Sequence, residues 1–143
     1  MQQPGEIKHP SRAKQLIDFS GLQYTSPHNG STITPTDIDG CIEWNDECFI
    51  FFEIKLKGKD LPYGQRLALQ RLVKSCNKPA VLFIAEHNIE NCNDGIDAAK
   101  CIVEKYYLPN GWHSWNGKEY TLRQVINSYL FHTTGYKIPK DNQ

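Results

Sequence analysis

The chain has 143 residues, with 16 acidic and 16 basic side chains, so its formal net charge at neutral pH is zero. This length favours one domain over residues 1–143, and the balanced charge excludes a uniformly basic nucleic-acid-binding protein. The first fourteen residues are polar, which argues against a signal segment, and no apolar run approaches the ~20 residues that cross a bilayer. We therefore expect a soluble, cytoplasmic protein without a membrane partner.

The amino-terminal part predicts a helix and then a loop. Residues 11–20 have the pattern of a short helix, with Ser11 as N-cap and Gly21 as the stop. Residues 26–35 are rich in Ser, Pro, Asn, Gly and Thr, which predicts a loop with a brief strand near Ile33.

The middle of the chain predicts a hairpin followed by a helix. Residues 38–44 and 48–56 are rich in Ile, Phe and Trp, as in two paired strands. The second strand is apolar on both faces until Glu53, which is typical of a strand inside a sheet. Helical periodicity then covers residues 62–76, with Pro62 in the first turn.

The remaining elements predict more of the same sheet and a last helix. Residues 79–85 read as a buried strand, whereas residues 98–108 fit either a strand or a helix. Residues 115–118 predict a tight turn, and a capping box of Thr121 with Gln124 opens a helix to about His132. Helices on both sides of a central mixed sheet indicate the α/β class, near its border with α+β.

Cysteines occur at five positions without a Cys-x-x-Cys pair, which argues against a disulfide framework or a zinc site. We expect reduced thiols that mostly fill the core. They are Cys41, Cys48, Cys76, Cys92 and Cys101.

Acidic and basic residues are separated along the chain. Residues 35–53 contain six acids and no Lys or Arg, whereas residues 54–78 contain seven bases and one acid. Carboxylates that can hold a metal are therefore followed by cations that can hold phosphate. The candidate contacts to nucleic acid, some of which equally fit a solvated helix face, are Lys57, Lys59, Arg66, Arg71 and Lys74.

The predicted hairpin brings carboxylates together. If its loop is residues 45–47, Asp39 faces Glu53 and Asp37 faces Lys55, all on one side of the sheet. Opposed carboxylates repel unless a cation lies between them, and magnesium accepts one or two carboxylates together with substrate phosphate. A lysine beside them can orient or deprotonate the attacking water. A loop of two or four residues would move one carboxylate to the opposite face.

Asp39, followed fourteen positions later by Glu53-Ile54-Lys55 at the end of an apolar strand, resembles the PD-(D/E)XK nuclease superfamily. The sequence Thr-Asp-Ile-Asp-Gly at residues 36–40 is similar to the acidic motif of its small phage and prophage nucleases, and more loosely to archaeal Holliday-junction resolvases. The resemblance covers residues 10–86 and leaves residues 87–143 as a carboxy-terminal elaboration. It implies a restriction-endonuclease-like fold.

The resemblance also implies roles for individual residues. Asp39 and Glu53 would bind Mg²⁺, with Mn²⁺ as a substitute, and the Ile54 carbonyl would be a further oxygen donor. Lys55 would be the catalytic base or a charge stabiliser. Gln65 is similar to a glutamine that some members place near the metal or the water.

Other candidates are peripheral. Many members carry an acidic residue on the first helix, for which this chain offers Glu6 and Asp18. Asp37 competes with Asp39 for the metal-binding role, and His87 equally fits a structural histidine.

The expected function is a magnesium-dependent endonuclease that acts on DNA, including branched DNA, in a bacterial host cell. A homodimer is expected if both strands are cut. Two alternatives stay open: a catalytically silent phage accessory protein that binds nucleic acid or inhibits a host protein, and a hydrolase of another phosphate ester. Trp112 and Trp115 fit either base stacking or coverage of the core.

Overall fold

A computed structural model describes residues 17–91 and 93–140. They belong to two compact units, Met1–Thr36 and Asp37–Gln143. Within the described ranges, no helix is long and apolar enough to cross a membrane.

The first unit contains a small antiparallel hairpin of β1 (Tyr24–Thr25) and β2 (Thr32–Ile33), which confirms the short strand predicted near Ile33. Of the helix predicted over residues 11–20, only residues 17–20 are described, and none of them is helical. The carboxylate of Asp18 accepts the Ser20 N–H at 2.9 Å, a local bond that competes with helix formation. The remainder of that predicted helix lies outside the described residues.

The second unit is built on a mixed sheet of five strands. They follow one another across the sheet as β3 (Gly40–Trp44), β4 (Cys48–Leu56), β5 (Ala80–His87), β6 (Ile102–Leu108) and β7 (Gly111–His113). Neighbours β4 and β5 are parallel and the other pairs are antiparallel. The predicted α/β class with a mixed sheet is confirmed.

One helix packs on each face of this sheet. The α1 face is covered by α1 (Tyr63–Ser75), whose Leu69 and Val73 pack against Phe51. The α2 face is covered by α2 (Leu122–Thr134), whose Val125 packs against Ile50. Successive residues of β4 alternate between these two faces, so Phe51, Glu53 and Lys55 share the α1 face.

The β3–β4 hairpin has the predicted three-residue loop, because Trp44 pairs with Cys48. Asn45 and Asp46 adopt φ angles of 46° and 60°, a left-handed conformation that these two residue types tolerate. The last pair in the ladder of β3 and β4 is Gly40 with Phe52. The predicted pairing of Asp37 with Lys55 is therefore not formed.

The ambiguous segment at residues 98–108 contains both kinds of structure, a 3₁₀ turn at Ala98–Lys100 and then β6. The short strand β7 was not predicted, and a turn at residues 109–110 joins it to β6. At the tight turn predicted over residues 115–118, the chain bends at residues 116–117 and Gly117 adopts a φ angle of 69°. The capping box is confirmed, since Gln124 N–H donates to the Thr121 hydroxyl at 3.2 Å and Thr121 N–H donates to the Gln124 side chain at 2.9 Å.

The cysteines that the structure describes are free thiols. Cys48 and Cys101 are buried, as expected of core residues, whereas Cys41 is exposed and Cys76 is half-buried. Cys92 lies outside the described residues. Burial raises the pKa of the thiols of Cys48 and Cys101, which favours their neutral form.

Candidate active site

The end of the β3–β4 hairpin brings Asp39 and Glu53 together. The Asp39 N–H donates to Glu53 Oε1 at 3.2 Å, and the Ile54 N–H donates to Asp39 Oδ2 at 2.7 Å. Glu53 is 3% exposed, whereas Asp39 is exposed. A buried carboxyl group and an accessible one therefore meet at the edge of the α1 face.

The environment of this pair disfavours two negative charges. Burial is the largest effect that raises the pKa of Glu53 from 4.5 to about 8, and the hydrogen-bonded, negatively charged Asp39 carboxyl raises it further. Asp37 contributes a smaller repulsion, while the Asp39 N–H acts in the opposite direction. Without a cation, the pair therefore retains a proton near neutral pH.

Gly40 allows the strand to pack closely beside this pair. A Cβ atom at Gly40 would fall on the ring of Phe52, which is its partner in the ladder. The glycine of the Asp-x-Asp-Gly sequence is therefore a packing requirement at this strand end.

Lys55 lies on the same face of β4 as Glu53, two residues further on. Its side chain is 9% exposed, and its ammonium is 2.9 Å from the carboxylate of Glu104 and 3.9 Å from that of Glu86. These acids come from β6 and β5, on the side of β4 opposite to β3 and Asp39. The ammonium is thus drawn away from the carboxylate pair.

The sequence analysis did not identify Glu86 and Glu104 as neighbours of the site. Glu86 pairs with Lys55 in the parallel ladder, so the correct order of the strands would have revealed it. The register between β5 and β6 shifts between Ile84 and Ala85, and this irregularity leaves Glu104 as an extra residue of β6. Nothing in the sequence marks that bulge, since it contains no glycine.

Gln65 approaches the site from α1, as predicted from its inward position. Its side-chain amide donates to the Asp37 carbonyl at 3.4 Å and so holds the segment that leads to Asp39. The structure therefore gathers Asp37, Asp39, Glu53 and Gln65, with Lys55 alongside.

The predicted DNA-contacting cations lie in two places. Lys57 and Lys59 are exposed in the loop that follows β4. Arg71 and Lys74 are exposed on α1. Arg66 is half-buried, and its guanidinium lies 5.7 Å from the centre of the Tyr63 ring. At 100° per residue these three positions spread over the outer surface of α1 instead of forming one stripe.

Among the peripheral candidates, Asp37 belongs to this cluster, whereas His87 faces another part of the second unit. Asp18 is in the first unit and is not on a helix, and Glu6 lies outside the described residues. His87 lines a cavity of about 580 Å³ at the ends of β4 and β5, where its Nδ1 accepts the Ile89 N–H at 3.1 Å. Alternation with Glu86 turns its side chain to the α2 face.

The two candidate stacking residues are packed against the core. Trp112 contacts the ring of Tyr107, with centroids 5.1 Å apart. Trp115 lies 4.9 Å from Tyr106 and 5.2 Å from Tyr120 by the same measure. This packing favours their interpretation as core-covering residues.

The two carboxyl groups of Asp39 and Glu53 fit a hard divalent cation. A buried carboxyl beside a second carboxylate carries an electrostatic cost that such an ion removes, and magnesium requires only one or two protein carboxylates besides water and phosphate. Among residues 17–91 and 93–140, no group of three or more His, Cys, Asp or Glu side chains is arranged to hold a metal ion. The candidate site therefore depends on this pair and on donors from backbone or substrate.

Comparison of the chain with protein-family models, with curated proteins and with solved structures finds no match. The resemblance to PD-(D/E)XK nucleases therefore rests on the motif residues themselves. The geometry around Asp39, Glu53 and Lys55 is the physical basis for a functional interpretation.

Proposed function

We propose that this chain is a magnesium-dependent endonuclease of the PD-(D/E)XK type that hydrolyses DNA phosphodiester bonds. One observation carries the proposal: Asp39 meets the buried Glu53 across the hairpin, on the sheet face that also carries Lys55. Two carboxylates and a lysine at the open end of one hairpin are the groups needed to hold a cation and to act on a phosphate.

Each residue has a distinct part in this proposal. Asp39, Glu53 and the Ile54 carbonyl would hold Mg²⁺, which supplies Lewis acidity at the phosphate and makes a bound water more acidic. Lys55 orients the attacking water and offsets the negative charge that develops on the phosphate. Gln65 fixes the chain before Asp39 through the Asp37 carbonyl, which keeps the carboxylate in register with Glu53.

The exposed basic side chains near the site favour DNA as the substrate. Lys57 and Lys59 lie two and four residues after Lys55 and are exposed, so in this proposal they would contact phosphates next to the scissile one. Arg71 and Lys74 extend the positive charge over α1. Contacts to phosphates carry no sequence information, which favours recognition of DNA shape, as on branched DNA, by a homodimer if both strands are cut.

A cleavage panel tests the proposal. Wild type is incubated with linear duplex, single-stranded DNA, a four-way junction and RNA, with magnesium, with manganese and with a chelator. We expect metal-dependent cleavage of DNA, lost in Asp39→Asn and retained in Glu90→Gln, which alters an exposed carboxylate elsewhere.

Other outcomes would replace the proposal. If no nucleic acid is cut although DNA is bound, the chain is a catalytically silent binding or inhibitory protein. Metal-dependent hydrolysis of a small phosphate diester without cleavage of any nucleic acid would assign a different phosphoesterase. Cleavage that is equal in Asp39→Asn would trace the activity to another site or to a contaminant.

A further inference from the structure

Lys55 is close enough in the sheet to neutralise the carboxylate pair itself. Residues two apart on a strand lie on one face, with Cα atoms roughly 7 Å apart, which a lysine side chain can span. Within the part of the chain that the structure describes, however, the ion pairs of Lys55 are with Glu104 at 2.9 Å and with Glu86 at 3.9 Å. A nearby lysine is thus diverted from Glu53.

The acids that divert Lys55 are not equivalent. Glu104 makes the shorter ion pair, while Glu86 also accepts the Gly58 N–H at 3.3 Å. The Lys55 side chain is 9% exposed, so water screens these attractions less than it would at an open surface. Glu104 therefore has the stronger hold on the ammonium.

The bulge in β6 explains how Glu104 reaches Lys55. Val103 pairs with Ala85 and Lys105 pairs with Ile84, so Glu104 is the additional residue between two regular pairs. A bulge changes the direction of a side chain relative to regular alternation, and bulges are frequent beside functional sites. Here the redirected carboxylate meets a lysine two strands away.

We infer that Glu104 is a positioning residue, which holds the Lys55 ammonium on the β6 side and keeps it from competing with a divalent ion for Asp39 and Glu53. The inference rests on the proposed function, because it takes the carboxylate pair to be the metal site. Without Glu104, the ammonium turns to Glu53 and neutralises the charge that attracts the ion. Glu104 thus preserves metal affinity without touching the metal.

Binding of Mn²⁺ to four forms of the protein tests this inference. Wild type, Glu104→Gln, Lys55→Ala and the double variant are titrated at fixed pH and ionic strength, and free Mn²⁺ is followed by electron paramagnetic resonance. We expect Glu104→Gln to bind roughly tenfold more weakly than wild type, the scale of lost outer-shell support. In the Lys55→Ala background, the same substitution has no effect, because the competing cation is gone.

The second background separates this inference from a simple charge effect. If Glu104 acted only through its distant negative charge or through local folding, its loss would weaken binding by the same factor in both backgrounds, and the inference would be overturned. Equal affinity of Glu104→Gln and wild type would overturn it as well. Glu104→Asp retains the charge with a shorter reach and should bind with intermediate affinity, and Glu90→Gln should match wild type.

Failure of the proposed function gives a different result. A wild type that binds no Mn²⁺ at this site rejects the metal centre, and with it the role of Glu104. If wild type binds Mn²⁺ and cuts DNA, and Glu104→Gln binds Mn²⁺ with the affinity of wild type, only the role of Glu104 is rejected and the proposed function stands.

Discussion

Replacement of Glu53 by glutamine should remove a pH-dependent loss of stability from the metal-free protein. In the folded state the pKa of Glu53 is about 8, whereas in the unfolded chain it returns to about 4.5. Between these values the unfolded state binds fewer protons, so the free energy of unfolding falls as pH rises. The favourable contribution is complete below about pH 4.5 and is lost as the pH passes through about 8.

The size of the effect follows from the burial of the carboxyl group. A rise from 4.5 to about 8 corresponds to at most about 5 kcal/mol, at ~1.4 kcal/mol for each unit of pKa. Asp39 and Asp37 are exposed, so water screens part of their repulsion with Glu53. We therefore expect wild type to lose roughly 2 kcal/mol across this range. The amide of Glu53→Gln is neutral throughout and should not suffer this loss.

Urea unfolding in the presence of a chelator, at about pH 5 and about pH 9, measures the difference. Glu53→Gln should gain stability relative to wild type as the pH increases, whereas Glu90→Gln should follow wild type. Magnesium should stabilise wild type more at the higher pH, where it no longer displaces a proton. Parallel pH profiles for wild type and Glu53→Gln would refute the account of a buried, proton-retaining Glu53.

Two further variants test the surroundings of the site. Neutralising Arg66, Arg71 and Lys74 together should weaken DNA binding and reduce the slope of log affinity against log salt by up to about 3, and an unchanged slope would show that DNA lies elsewhere. Gly40→Ala should destabilise the protein by about 1–3 kcal/mol in urea unfolding, because its methyl group would overlap the Phe52 ring, and unchanged stability would mean that the ring moves aside.

The hairpin could be predicted because its signals are local. Asn45 and Asp46 suit the left-handed conformation of a three-residue loop, whereas the following strand is apolar on both faces and does not by itself fix which face carries Glu53. The structure has the three-residue loop, and this register brings Asp39 to Glu53. The sequence therefore predicted the central pair on the condition of a three-residue loop, because a loop of two or four residues would have moved one carboxylate to the opposite face.

The partners of Lys55 could not be predicted, because they depend on strands that are distant in the chain. Residues 98–108 combine the propensities of helix and strand, and pairing with β5 and β7 makes residues 102–108 a strand. The bulge that directs Glu104 to Lys55 is likewise a product of this packing. The helix predicted at Asp18 was wrong for a local reason. The hydrogen bond from the Ser20 N–H to the Asp18 side chain competes with helix formation there.

The rate of DNA cleavage under single-turnover conditions, with saturating magnesium, tests the central claim most directly when wild type and Lys55→Ala are compared in matched preparations. Lys55→Ala removes an ammonium but no metal ligand. We therefore expect wild type to cleave DNA and the variant to cleave it at a rate that is lower by ~100-fold or more. Cleavage by neither protein, or at the same rate by both, would contradict the assignment of Asp39, Glu53 and Lys55 as a nuclease centre.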